Sequence, residues 1–134
     1  MKRLANRLHR QGEDSGVVAT EFVIIAPILI ILVFGIIEFG FVFNAQISLT
    51  QAVREGVRVG AIGEDLSSAE MIARMTDSFN AVGGGTPSGV AVACPDTSAT
   101  DEVATLTGTL PFESPISRFG PFDLTSTAVM RCGG

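Results

Sequence analysis

The hydrophobic pattern divides the chain into an apolar N-terminal part and a mixed C-terminal part. A run of 16 uncharged residues extends from Phe22 to Ile37 and continues to Phe43 with Glu38 as its single charge. At about 1.5 Å per residue, a helix over 22–43 is roughly 33 Å long, which is enough to cross a bilayer core of about 30 Å. The pattern therefore predicts a transmembrane helix over residues 17–43.

Beyond this run, polar residues recur every three or four positions, which predicts that the helix continues to about residue 62 with one polar and one apolar face. Small residues line the apolar face, so another element can approach it closely. A capping-box pattern, Ser67 followed by Glu70, begins a second helix over 67–81. The apolar faces of the two helices are formed by Ala45, Leu49, Ala52, Gly56 and Gly60 in the first and by Met71, Ile72, Met75 and Phe79 in the second.

Alternation of apolar and polar residues predicts three strands, over about 89–94, 102–110 and 123–132. A loop from Pro111 to Pro121 contains Phe112 and Phe119 and is followed by Phe122, and we expect at least two of these three rings in the core. The predicted fold class is α+β and pilin-like: a long N-terminal transmembrane helix continues into a small domain with a second helix and a three-stranded antiparallel sheet.

The distribution of charge predicts an orientation. Residues 17–134 carry five basic against twelve acidic residues, so nucleic acid is not an expected partner. Basic residues flank a membrane segment on its cytoplasmic side, which predicts a cytoplasmic leader over 1–16 and a periplasmic domain over 44–134. A cleaved secretory signal peptide is the alternative, but its apolar core would be too long. The basic residues of the leader are Lys2, Arg3, Arg7 and Arg10.

Carboxylates are costly in hydrocarbon and usually mark a function or a partner. A cut after Gly16 would create an amine on Val17, one helical turn before Glu21, and the two charges could neutralise each other within one chain or between neighbouring chains. The alternative places Glu21 in the cytoplasmic headgroups. Glu38 is expected to reach the outer headgroups.

The two cysteines, Cys94 and Cys132, both follow the membrane segment, and in an oxidising periplasm we expect them to form a structural disulfide. His9 is the single histidine, so a catalytic zinc site or a Cys–His pair is not expected. Without a phosphate-binding or dinucleotide motif, we expect no metal, no cofactor and no enzymatic activity.

A candidate partner patch on the first helix consists of Arg54, Glu55, Gly56 and Arg58, although a solvated helix face explains the same pattern.

The arrangement of a basic leader, Gly16, Val17 and Glu21 resembles type IV pilin precursors. Residues 16–60 more narrowly resemble the TadE-like family, with Val53 and Val57 where alanine is commoner. Phe22 stands at the aromatic position that follows the assembly glutamate. The motifs of this resemblance are Val18-Ala19-Thr20-Glu21-Phe22, Ala26-Pro27, Gly35-Ile36-Ile37-Glu38-Phe39-Gly40 and Leu49-Thr50-Gln51-Ala52-Val53-Arg54-Glu55-Gly56-Val57-Arg58.

The resemblance implies a minor pseudopilin of the bacterial inner membrane that primes or regulates assembly of Tad/Flp-type pili for surface adhesion. A membrane-embedded prepilin peptidase would cut it after Gly16. Its implied partners are that peptidase, other Tad pseudopilins, the Flp major pilin, the inner-membrane assembly platform and the lipid bilayer. Two other functions remain open: a permanently anchored periplasmic binding or sensory module that is never processed, and a structural pilin.

Overall fold

The computed structural model of the chain describes residues 2–62, 67–82, 85–95, 102–113 and 120–132, with the backbone alone over 2–15. The predicted α+β class is confirmed, because two helices are followed by a three-stranded antiparallel sheet in the order β1-β2-β3. The chain divides into two compact units, Met1–Ile37 and Glu38–Gly134. The elements are α1 (Lys2–Ile62), α2 (Ser68–Ser78), β1 (Ser88–Val92), β2 (Val103–Phe112) and β3 (Phe122–Arg131).

The first helix begins earlier than the sequence pattern predicts. The expected helix starts at Val17, whereas α1 starts at Lys2 and includes the predicted leader. Leucine and arginine, which are strong helix formers, supply five residues of this leader between positions 3 and 10 and favour the helix there. The helix continues through Pro27, which cannot donate a backbone hydrogen bond, and ends at Ile62 near the predicted glycines.

The second helix starts where the capping box places it. The Glu70 backbone N–H donates to the Ser67 hydroxyl at 3.4 Å, and the Ser67 N–H donates to the Glu70 carboxylate at 3.0 Å. The helix ends at Ser78, three residues before the predicted end, because Phe79 adopts an extended backbone. Asn80 is then held by α1: its N–H donates to the Ser48 hydroxyl at 3.1 Å, and that hydroxyl donates to its carbonyl at 2.8 Å.

In β2 the even-numbered residues face the core and are buried, which confirms the predicted face with Ala104, Leu106 and Leu110. The predicted end of this strand at residue 110 is too early. Pro111 continues the strand because β1 begins at Ser88, opposite Thr109, so the missing N–H of Pro111 leaves no partner in β1 unsatisfied.

Phe112, which the sequence pattern places in the loop, and Phe122, which follows the loop, are therefore strand residues. Phe112 pairs with Phe122 in the sheet, and their ring centroids lie 5.5 Å apart. Phe112 is fully buried, whereas Phe122 is 43% exposed and covers one side of its neighbour. Phe119 lies outside the described residues. Among the described residues, Phe112 is the one of these three rings that is buried in the core, so the expectation of at least two core rings is met for a single ring.

The core of the second unit forms where glycines let backbones approach. A Cβ atom at Gly56 would lie 2.8 Å from the Met71 carbonyl oxygen of α2. A Cβ atom at Gly108 would lie 2.7 Å from the Val53 side chain of α1. The small-residue face of α1 therefore contacts both α2 and the sheet, as the sequence pattern predicts. The buried side chains of α1 are Ala45, Leu49, Ala52, Val53, Val57 and Ala61.

The predicted disulfide is confirmed. Cys94 lies two residues after β1 and Cys132 directly after β3, and the bond joins the ends of the two outer strands across the start of β2. The two residues are 38 positions apart. In the chain-entropy description, closing a loop of this length stabilises the folded state by about 3–4 kcal/mol.

Removal of the disulfide should therefore destabilise the second unit strongly. We expect Cys94→Ala with Cys132→Ala to lower the free energy of unfolding by about 3–4 kcal/mol. Because the chain lacks Trp and Tyr, pulse proteolysis in urea is the suitable measurement. A reducing agent should lower the wild-type midpoint to the same value and leave the double variant unchanged. Equal midpoints for oxidised wild type and the double variant would contradict the assignment.

The close approach at Gly56 gives a second prediction. Gly56→Ala should lower the free energy of unfolding by about 1–3 kcal/mol, although alanine is the better helix former, because the new methyl meets a backbone carbonyl that cannot move alone. Gly60→Ala is the matched control, since its methyl meets only the flexible Met71 side chain and should cost less. Urea midpoints of the two variants test this, and a larger loss at Gly60 would contradict it.

Candidate functional site

The predicted processing segment lies on the exposed surface of α1 within the first unit. Val17 is 61% exposed and Phe22 is 68% exposed. Gly16 also lies open, with no atom within 4 Å of a Cβ atom built on it, apart from its own helix and its chain neighbours. A helix places residues four apart on one face, so Val17 and Glu21 share a face and are separated by one turn.

Thr20 contributes a contact that the sequence reasoning missed. Its hydroxyl donates a hydrogen bond of 2.6 Å to the Gly16 carbonyl oxygen, which belongs to the peptide bond predicted to be cut. The signal was available, because threonine hydroxyls commonly bond to the carbonyl four residues earlier in a helix. The Gly16 carbonyl oxygen thus accepts a side-chain hydrogen bond while it lies in the helix.

The sequence of the first turn after Gly16 makes opening inexpensive. Gly16 has the weakest helix propensity of any residue except proline, at about 1 kcal/mol below alanine. Val17, Val18 and Thr20 are β-branched and also disfavour the helix. The turn is therefore helical in this structure, but its residues require little free energy to leave the helix.

Glu21 is exposed, and within the part of the chain whose side chains are described no cationic group forms an ion pair with it. The run that follows it is almost wholly apolar and exposed: Ile24, Ile31 and Phe39 have exposed fractions of 66%, 71% and 65%. Such a surface is stable only in lipid or against other apolar helices. The carboxylate thus stands at the border of a segment that requires an apolar environment.

The candidate partner patch on α1 is divided by the fold. Arg54, Glu55 and Arg58 are exposed, and the guanidinium of Arg58 lies 4.0 Å from the Glu55 carboxylate. Gly56 is instead buried beneath Met71 and contributes to contact with α2. An exposed pair of this kind contributes at most about 1 kcal/mol, so Glu55 and Arg58 can exchange it for contacts with a partner.

Cys94 and Cys132 form the disulfide within the second unit, which does not include residues 16–22. Among the described residues, no group of three or more His, Cys, Asp or Glu side chains is placed to hold a metal ion.

Comparison with known proteins supports the assignment suggested by the motifs. The model of the family described as TadE-like protein matches residues 16–58, which include Gly16, Glu21 and the partner patch. No match was found among curated proteins or among solved structures. Over the described chain, one helix, Gly16–Ile62, is long and apolar enough to cross a membrane, which fits a single-pass membrane protein. Residues 16–58 of this chain are thus a TadE-like segment, a match that covers the apolar helix and its continuation but not the remainder of the chain.

Proposed function

We propose that the chain is a minor pseudopilin that is cut after Gly16 by a prepilin peptidase and then primes or regulates assembly of Tad/Flp-type pili. The observation that carries the proposal is the position of Glu21, one turn after Val17 at the border of an exposed apolar helix that lies in the TadE-like segment. The role is structural and requires no enzymatic activity.

The physical reason for the cut is charge. Before cleavage, Glu21 would have to enter an apolar bundle without a neutralising group, which costs several kcal/mol. Cleavage creates an amine on Val17, and a paired amine and carboxylate are less costly to bury than either charge alone. The same cut removes the basic leader, which favours the cytoplasm. Processing therefore removes the basic leader and leaves an N-terminus whose charge can pair with Glu21, so that the helix can pack among neighbouring helices.

The proposed orientation places the leader in the cytoplasm and the second unit in the periplasm, on the bacterial inner membrane. Two observations support it. The leader carries the basic cluster, and the disulfide at Cys94 and Cys132 requires an oxidising compartment to persist. The proposed partners are the peptidase, other Tad pseudopilins, the Flp major pilin and the inner-membrane assembly platform, together with the bilayer.

A permanently anchored periplasmic binding or sensory module remains the second candidate, because the folded second unit with its disulfide is larger than a helix alone requires. The two candidates differ at the N-terminus. N-terminal sequencing of protein purified from native membranes should begin at Val17 if the chain is processed and at Met1 if it is only an anchor.

Blocking the cut provides the first functional test. Gly16→Leu should leave a precursor sixteen residues longer than the mature protein, because a bulky side chain precedes the cleaved bond. Gly35→Leu is the matched control: its site on the same helix is equally open, so cutting should proceed. Gel mobility and intact mass report the result. An intact Met1 end in the wild-type protein would overturn the processing proposal.

The charge pair gives a second functional test. Glu21→Gln should still be cut but should enter pilus assemblies on the order of tenfold less, because the Val17 amine then lacks a counter-charge. Glu21→Asp keeps the charge and should restore part of the incorporation. Both are measured by quantifying the processed protein that co-purifies with assembly components. Normal incorporation of the Gln variant would show that pairing with the amine is unnecessary.

A further inference from the structure

We infer that the free edge of β3 pairs with the same edge of a second copy of this chain, in antiparallel register about a two-fold axis at Thr127. The proposal concerns the second unit and does not depend on cleavage after Gly16.

The hydrogen-bonding direction along β3 can be read from two contacts. The Cys132 N–H donates to the Glu102 carbonyl at 3.0 Å, so even-numbered residues of this register direct their backbone groups toward β2. The Gln46 amide donates to the Thr125 carbonyl at 3.2 Å, which shows that an odd-numbered carbonyl points away from β2. The odd-numbered residues of β3 thus direct their N–H and C=O groups outward.

Apart from the Gln46 amide on the Thr125 carbonyl, this edge lacks the usual protection against pairing. Exposed edge strands commonly carry lysine, proline, a bulge or an inward-pointing charge. β3 is ten residues long and pairs with β2 in unbroken register, and between Asp123 and Arg131 it contains no charge and no proline. By contrast, β1 is only five residues long and offers fewer outward groups.

Charge complementarity selects the partner and the register. A two-fold axis at Thr127 places Asp123 of each copy opposite Arg131 of the other, and Thr125 opposite Val129. A two-fold axis at Thr125 or at Val129 would not place Arg131 opposite Asp123 of the second copy. Because all these residues are odd-numbered, their outward backbone groups face one another, which allows roughly ten inter-chain hydrogen bonds.

The side chains involved are available for this pairing. Asp123 and Arg131 are exposed, and within the described residues neither forms an ion pair. Val129 is 59% exposed, and pairing would cover part of it with Thr125 of the second copy. The Gln46 amide can remain in place, since a carbonyl oxygen has two lone pairs and can accept a second hydrogen bond.

Cysteine cross-linking of the full chain in membranes tests the axis. Residues opposite each other in such a pair have Cα atoms about 5.5 Å apart, a distance that a disulfide spans, so Thr127→Cys should give on the order of tenfold more covalent dimer than either control. Thr107→Cys is the first control: it pairs with Thr127 on the same exposed face but lies in the central strand. Val129→Cys is the second, because its counterpart would lie roughly 14 Å away.

Equal cross-linking at Thr107 would indicate contact between sheet faces, and equal cross-linking at Val129 would indicate another register or random collision. Absence of cross-linking at all three positions would show that the edge stays unpaired. Each of these results overturns the proposal. Mass spectrometry of the Cys94–Cys132 disulfide in every variant confirms that the second unit is folded.

A charge reversal in the Thr127→Cys background tests the partner independently. Asp123→Arg or Arg131→Asp alone should lower the dimer yield roughly three- to tenfold, because two attractive pairs become repulsive, and the double reversal should restore it.

Thr127→Pro provides a last check, in which chemical cross-linking measures the amount of dimer. It removes the outward N–H but no hydrogen bond to β2, so it should abolish dimerisation while the disulfide still forms. Loss of dimer without rescue by the double reversal would refute the register.

Discussion

Direct contact between backbones is the constraint on which the second unit depends. The unit has few large apolar side chains, and its fully buried side chains of largest volume are Phe112, Leu49 and Met71. A small core stabilises a fold only when its elements come close enough for each buried atom to have neighbours. Glycines at positions 56 and 108 provide that closeness, since α2 and the sheet approach α1 where no side chain intervenes.

The disulfide and the polar contacts add stability that this small core does not supply by itself. The Cys94–Cys132 bond secures the end of the sheet where β2 begins. Ser48 holds the residue after the C-cap of α2 and Gln46 holds a carbonyl of β3, so α1 is tied to both neighbouring elements by hydrogen bonds as well as by contact. This combination suits a domain in an oxidising compartment, where a covalent bond substitutes for apolar area.

Two surfaces of the chain are suited to a partner for different reasons. The apolar run of α1 needs lipid or other apolar helices because it exposes hydrocarbon, and Glu21 limits which bundles can accept it. The edge of β3 directs backbone groups outward, of which the Thr125 carbonyl accepts from Gln46, and it carries charges only near its ends. As proposed, assembly through the helix would depend on charge neutralisation and pairing through the strand on hydrogen-bond register, so the two could act independently.

The amino-acid sequence by itself determined the elements and the candidate processing segment. Periodicity, the capping box at Ser67 and the length of the apolar run are local properties, and the strand faces follow from alternation. Tertiary structure decided the rest. The end of α2 depends on Ser48 of another element, the continuation of β2 through Pro111 depends on where β1 starts, and the burial of Gly56 depends on Met71. These outcomes arise from contacts between residues distant in the chain, which no local pattern of residues encodes.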